Sequence, residues 1–193
     1  MVLETEEESG SQNLLNLLAL AKDAIGTPDM VFCMDSGAFD YESLWLTSSL
    51  RGVIEASYNI EAGMQGYHSG ELGGILPETF RVWRDLLDRV DDVKTGRCAA
   101  EFETQIPNWA HEEAKMMAEL SGDTMYKQYR IHEGVKCLNQ DNLPELYLNN
   151  TWRPCLAIVG ADGIPTVAAG GNVCRASTSL KLSMRIAPNA NAQ

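Results

Sequence analysis

The residues best equipped for chemistry in this chain are carboxylates set beside turns. Glu7 and Glu8 are adjacent and follow a third acid, Glu6. Two ionised carboxylates side by side repel each other, and no basic residue lies nearby in sequence to relieve them. A divalent cation would relieve them strongly. One could then ligate the cation while its neighbour takes a proton from a water the cation activates. The plainer alternative is a solvated acidic tail. Asp35 follows the apolar run at 30–34 and precedes Ser36-Gly37, so it sits at the end of an expected strand; as a bare turn-initiating Asp it would need no further role. His68 lies in Gly66-Tyr67-His68-Ser69-Gly70, where dense glycine suggests close approach of backbone or ligand, although many loop histidines are simply exposed. Arg175 follows Gly170-Gly171-Asn172 at the entry to a strand. Its fork could clamp a carboxylate with two hydrogen bonds, or it could be an ordinary strand-edge arginine.

These groups need elements to hold them. Leu14, Leu15, Leu17, Leu18, Ala21 and Ile25 recur at helical spacing, with Ser9 or Ser11 as a cap and Gly26 and Pro28 as the stop. With the apolar strand at 30–34, residues 1–43 read as strand end, acidic turn, helix and strand. This is an α/β unit with its carboxylates at the carboxyl edge of the sheet, where such folds place ligands. Residues 44–50 and 53–62 read as two strands broken at Arg51-Gly52; the second alternates cleanly. The glycine-rich stretch at 63–76 must be a loop. Pro77 opens a helix with Phe80, Val82, Trp83, Leu86, Leu87 and Val90 on its apolar face. Residues 91–107 are polar and turn-like, and 108–133 read as one or two helices. Residues 152–159 and 177–186 are expected strands around a glycine-rich loop at 160–174, and 188–193 read as a tail. The expectation is an α+β fold. Residues 44–187 form a ferredoxin-like two-layer sandwich, a four-stranded antiparallel sheet with helices on one face, beside a short α/β remnant at 1–43.

Composition narrows the partners. The 193 residues are 45% hydrophobic and 22% charged, which suits a globular chain of one medium domain, or of one domain plus a fragment of another. The net charge of −12 disfavours nucleic acid and anionic membrane surfaces. No apolar run approaches the roughly 18–20 residues of a membrane span, and the acidic start is the reverse of a signal peptide. Cys33, Cys98, Cys137, Cys155 and Cys174 are odd in number and lack CxxC spacing. They read as reduced thiols of a cytoplasmic protein, several buried, which argues against a cysteine-built zinc site.

Six segments together resemble one family: ETEEESGS at 4–11, CMDSG at 33–37, LWLTSSLRG at 44–52, YHSGELGGILPETFR at 67–81, TWRPCLAIVGADG at 151–163 and GNVCRASTSLKLSMRI at 171–186. They are similar to the carnosinase-like dinuclear zinc metallopeptidases, whose wider family includes acetylornithine deacetylase, succinyl-diaminopimelate desuccinylase and glutamate carboxypeptidase. The resemblance implies a catalytic α/β domain holding two zinc or other divalent ions, with an inserted lid or dimerisation domain. It implies Glu7 as general base, Glu8 as a metal ligand and Asp35 as a ligand to the other metal. It casts His68 as the lid histidine that reaches the partner subunit's active site and stabilises an oxyanion. Arg175 would bind the substrate's terminal carboxylate, and Asn172 would be a polar substrate contact. A homodimer through the lid follows, with Phe80, Trp83 and Leu87 as a contact face unless they pack on the lid's own sheet. The substrate would be a dipeptide or the C-terminal residue of a short peptide, or an N-acyl amino acid for a deacylase of the same fold. A non-enzymatic ferredoxin-like binding module is the reading outside the enzymes. The family's His-x-Asp motif and bridging Asp precede the glutamate pair, and its last metal-binding His follows far downstream. None of these is found here, so the expectation is a central segment with no tight zinc and no peptidase activity by itself.

Overall fold

The computed structural model describes residues 1–191, so the last two residues of the expected tail at 188–193 lie outside the described residues. The chain divides into two compact units, Met1–Ala38 and Phe39–Gln193.

The first unit holds a single 3-10 turn, Glu7–Ser9, and two helices, α1 (Leu14–Leu20) and α2 (Lys22–Ile25). The expected caps do not form: neither Ser9 nor Ser11 caps α1. Instead the Asn13 side-chain amide donates to both carboxylate oxygens of Glu6, at 3.1 and 2.9 Å. Gly10 closes the turn at φ 89°, a left-handed conformation that glycine adopts without steric cost. Residues 30–34, expected as a buried strand, are irregular and exposed, with Phe32 at 77%. A strand needs a neighbour to take up its backbone hydrogen bonds, and none of the described residues of this unit forms one. None of them is buried either.

The second unit is α+β, and its strands pair antiparallel. β1 (Gly52–Glu61), β3 (Cys155–Asp162) and β5 (Ser177–Ile186) form a sheet in the order β1-β5-β3, and the two-residue strands β2 (Tyr67–His68) and β4 (Val173–Cys174) form a separate ribbon. Period-2 alternation gives the sheet two unlike faces. Ile54, Ala56, Tyr58 and Ile60 pair with Met184, Leu182, Leu180 and Thr178 on the apolar face. On the other face Lys181 pairs with Glu55 at 2.8 Å, and the Ser179 hydroxyl donates to the Asn59 side chain at 2.9 Å. A bulge between Ile158 and Gly160 interrupts the β3–β5 register.

The sheet of four expected strands has three among the described residues. Residues 44–50 are irregular, with Leu44, Leu46 and Leu50 exposed, and Trp45 packs instead on Phe39 with ring centroids 5.2 Å apart. Their alternation alone does not secure a partner, because pairing depends on an open sheet edge brought to the segment by tertiary structure. The strand expected from 152 begins at Cys155, since Trp152 is the buried C-cap of a helix that the sequence reading missed, α7 (Leu143–Thr151). Asn142 caps α7 by accepting from the Glu145 N–H at 3.3 Å, and Pro144 occupies the first turn.

Helix α4 (Thr79–Asp88) packs on β1 and β5, while α5 (Asn108–Ser121) packs on α7. Ala110 and Ala114 let α5 and α7 approach closely around Leu148 and Trp152. Arg51 joins the sheet to α7: its Nη1 donates to the carbonyls of Asn149 and Arg153 at 3.2 and 3.0 Å, placing a cation where a helix leaves carbonyls unpaired. No helix among the described residues is long and apolar enough to cross a membrane.

The N-terminal end of α4 is fastened to β5 by two buried hydroxyls. Thr79 and Thr178, both 0% exposed, share a hydrogen bond of 2.7 Å. Thr178→Val keeps the shape but strands the Thr79 hydroxyl with only a 3.4 Å contact to Glu78. Urea denaturation is expected to show a loss of about 1–3 kcal/mol, and the double change Thr79→Val with Thr178→Val a smaller one. A double variant less stable than the single would contradict this account.

Candidate functional site

The ribbon gathers three of the six candidate residues. β2 and β4 pair Tyr67 with Cys174 and His68 with Val173. The Ser69 N–H donates to the Asn172 carbonyl at 2.9 Å, extending the pairing by one step. His68 and Asn172 therefore lie at one end of the ribbon and Arg175 directly follows its second strand. Ala176 anchors that strand to the main sheet by accepting from the N–H groups of Ala62 and Gly63 at 2.7 and 3.1 Å.

His68 is exposed and its ring is oriented by the backbone. Its Nδ1 accepts from the Gly70 N–H at 3.1 Å, which caps the single-turn helix α3 (Ser69–Leu72). An accepting Nδ1 leaves the proton of the neutral imidazole on Nε2, so the outward nitrogen is a donor. Gly70 leaves the ring its place: a methyl group there would stand 2.9 Å from the His68 Cε1, so the ring would have to shift.

Arg175 is held on two sides. It forms an ion pair with Glu78, and its guanidinium carbon lies 5.3 Å from the centroid of the Phe80 ring. Its Nε is buried without a hydrogen-bond partner. Glu78 also caps α4, since its Oε2 accepts from the Arg81 N–H at 3.2 Å. Sequence reasoning missed Glu78 as a site residue. Glutamate is not among the favoured N-cap types, and no local pattern announces its pairing with a residue 97 positions away. Phe80, expected on an apolar contact face, is 36% exposed and lies under Arg175. Trp83, from the same expected contact face, is 2% exposed and packs within its own unit.

The three acidic candidates lie in the other unit. Glu7 and Glu8 occupy the exposed 3-10 turn and Asp35 an exposed irregular segment. No three of the described His, Cys, Asp and Glu residues are grouped so as to hold a metal ion. The donors on this chain therefore do not by themselves fit a dinuclear centre, which needs several ligands per ion. Nor does Cys98 supply a nucleophile in the core. Burial, with Asp91 nearby, pushes the Cys98 thiol up to about 11, so it stays protonated at neutral pH. Cys98 and Cys174 are buried as expected, while Cys33 and Cys155 are exposed.

No protein-family model matches the chain. Over its full length it is 25% identical to 41% of a cysteinylglycine-S-conjugate dipeptidase from Corynebacterium striatum. Its structure is similar to that of the dipeptidase Dug1p from Saccharomyces cerevisiae, with a TM-score of 0.64 and 25% identity over 98% of this chain and 39% of that one. Human carnosine dipeptidase 1 shares the fold at a TM-score of 0.56 and 21% identity over 96% of this chain and 39% of that one. So does the M20-family metallo-carboxypeptidase Sso-CP2 from Sulfolobus solfataricus, at 0.53 and 12% over 74% and 37%. The chain spans about two fifths of the length of the relatives it matches.

Proposed function

We infer that this chain, whose relatives are dipeptidases matched over about two fifths of their length, is a segment of a metal-dependent peptidase that hydrolyses dipeptides or the C-terminal residue of short peptides. The observation that carries this reading is the gathering of His68, Asn172 and Arg175 on one short ribbon. A donor, a polar contact and a guanidinium there match the carbonyl oxygen, amide and free carboxylate of a small peptide.

In this reading Arg175 fixes the terminal carboxylate and Asn172 steadies the backbone of the substrate. His68 presents its Nε2–H, in the partner subunit's active site, to a carbonyl oxygen as negative charge develops on it. Glu7 accepts a proton from the attacking water and returns it to the leaving amine. Glu8 and Asp35 would each offer a carboxylate to one of two divalent ions, zinc by the resemblance, and further ligands would have to come from residues other than these. Phe39–Gln193 act as the lid, and both β1 and β3 are sheet edges at which a second copy can pair. The protein is assigned to the cytoplasm as a homodimer, and the 193 residues alone are assigned no catalysis.

Titration calorimetry of zinc into the 193-residue chain is expected to give no tight binding, and the chain alone no dipeptide hydrolysis. A longer polypeptide that carries this segment together with the missing ligands is expected to hydrolyse dipeptides and to lose that activity to a chelator. Two tightly bound zinc ions per 193-residue chain would sink the fragment reading. Failure of the longer polypeptide to cleave any dipeptide would sink the peptidase reading.

A further inference from the structure

We propose that Glu78 is a built-in competitor for the carboxylate-binding fork of Arg175, holding the guanidinium in the free chain and giving way when a ligand's carboxylate binds. This rests on the reading of Arg175 as a carboxylate-binding residue.

The argument is one of bond counting at the fork. Glu78 engages Arg175 through one oxygen, Oε1, on one nitrogen, Nη2. Its other oxygen is committed elsewhere, accepting from the Arg81 N–H at the start of α4. The Arg175 Nε meanwhile is buried and has no acceptor. A buried donor left unpaired is costly, and native proteins rarely tolerate one without a reason. A free carboxylate can instead take two parallel N–H groups of the fork at once, the arrangement that guanidinium geometry favours. The incoming ligand thus offers two bonds for the one it breaks and satisfies the orphaned donor. Glu78 does not lose everything when displaced, because its cap on α4 uses the other oxygen. The ring of Phe80 under the guanidinium keeps the fork in plane during the exchange. Arg175 is partly shielded, with its side chain 26% exposed, while that of Glu78 is 42% exposed, so the acid has room to swing toward solvent.

The test uses the 193-residue chain, with N-acetylglycine as the carboxylate probe and its neutral twin, N-acetylglycine amide, as control, both followed by NMR titration at low ionic strength. Glu78→Gln keeps an oxygen for the Arg81 cap but removes the competing charge. It is expected to bind N-acetylglycine about two- to fivefold more tightly than the wild type, the range set by a partly exposed ion pair. The amide should gain nothing, and adding Arg175→Gln should abolish the gain. Because the cap is kept, urea unfolding of Glu78→Gln should stay cooperative and lose no more stability than the factor gained in binding, so a general loss of structure cannot produce the result. Equal binding by wild type and Glu78→Gln, abolished by Arg175→Gln, would overturn the competitor role and leave the Arg175 reading standing. Weaker binding by Glu78→Gln would also overturn it, showing Glu78 to be a positioning residue only. Binding of N-acetylglycine by none of the variants would overturn both readings.

Discussion

His68→Ala, made in a peptidase that carries this segment, is expected to lower kcat by about 10²–10³ while KM changes little. The ring's orientation is the reason. Its Nδ1 is occupied by the Gly70 N–H, so the proton faces outward on Nε2. A donor placed to meet charge that exists only in the transition state contributes to kcat rather than to ground-state binding. Alanine removes that donor and leaves Arg175 and Asn172, which in the proposed reading would bind substrate and transition state alike. Gly70→Ala is a gentler probe of the same geometry. Its new methyl group falls 2.9 Å from the His68 ring, which must turn away, so kcat should fall by less than in His68→Ala and with the same unchanged KM. Steady-state kinetics on a dipeptide substrate decides the matter. A wild-type kcat for His68→Ala would remove His68 from the mechanism.

Trp83→Ala is expected to destabilise the chain by about 3–5 kcal/mol in urea denaturation, the usual cost of emptying a large buried aromatic site. Trp83 is 2% exposed, and its indole N–H donates to the Thr178 carbonyl at 3.1 Å. It shares this end of β5 with the Thr79–Thr178 hydroxyl pair, so the same variant loosens the start of α4, where Glu78 meets Arg175. Stability and the site are therefore linked through one helix end. A loss below about 1 kcal/mol would mean that the surroundings collapse onto the vacated space far more completely than such cores do.

Some of this architecture is legible in local sequence and some is not, for physical reasons. The alternation at 53–62, the proline-opened helix after Pro77 and the strand at 177–186 correspond to β1, α4 and β5 within two residues. Each carries its own periodicity, and each is completed by packing that the same periodicity creates. Residues 30–34 and 44–50 carry strand composition too, but composition cannot supply a neighbouring edge, and both stretches are irregular. Helix α7 escaped notice because its capping signals sit in a polar stretch without an amphipathic stripe. In the site, His68 and Arg175 stood out through their glycine surroundings, whereas the Glu78 partnership depends on the ribbon folding back and leaves no mark near position 78. The roles of Glu7, Glu8 and Asp35 came from resemblance and not from any geometry these residues share.

The order β1-β5-β3 sets when this sheet can exist during synthesis. The central strand is the last to be made, and the Ser179–Asn59 hydrogen bond that helps join it to β1 spans 120 positions. Until Ser177–Ile186 leave the ribosome, β1 and β3 have no strand between them and no ladder to complete. The helical pair α5 and α7, by contrast, needs only residues up to Thr151. β1 thus waits for its partner from Glu61 onward and β3 from Asp162, a long-range closure that is slow by nature and leaves strand edges open to other chains until Ser177–Ile186 arrive.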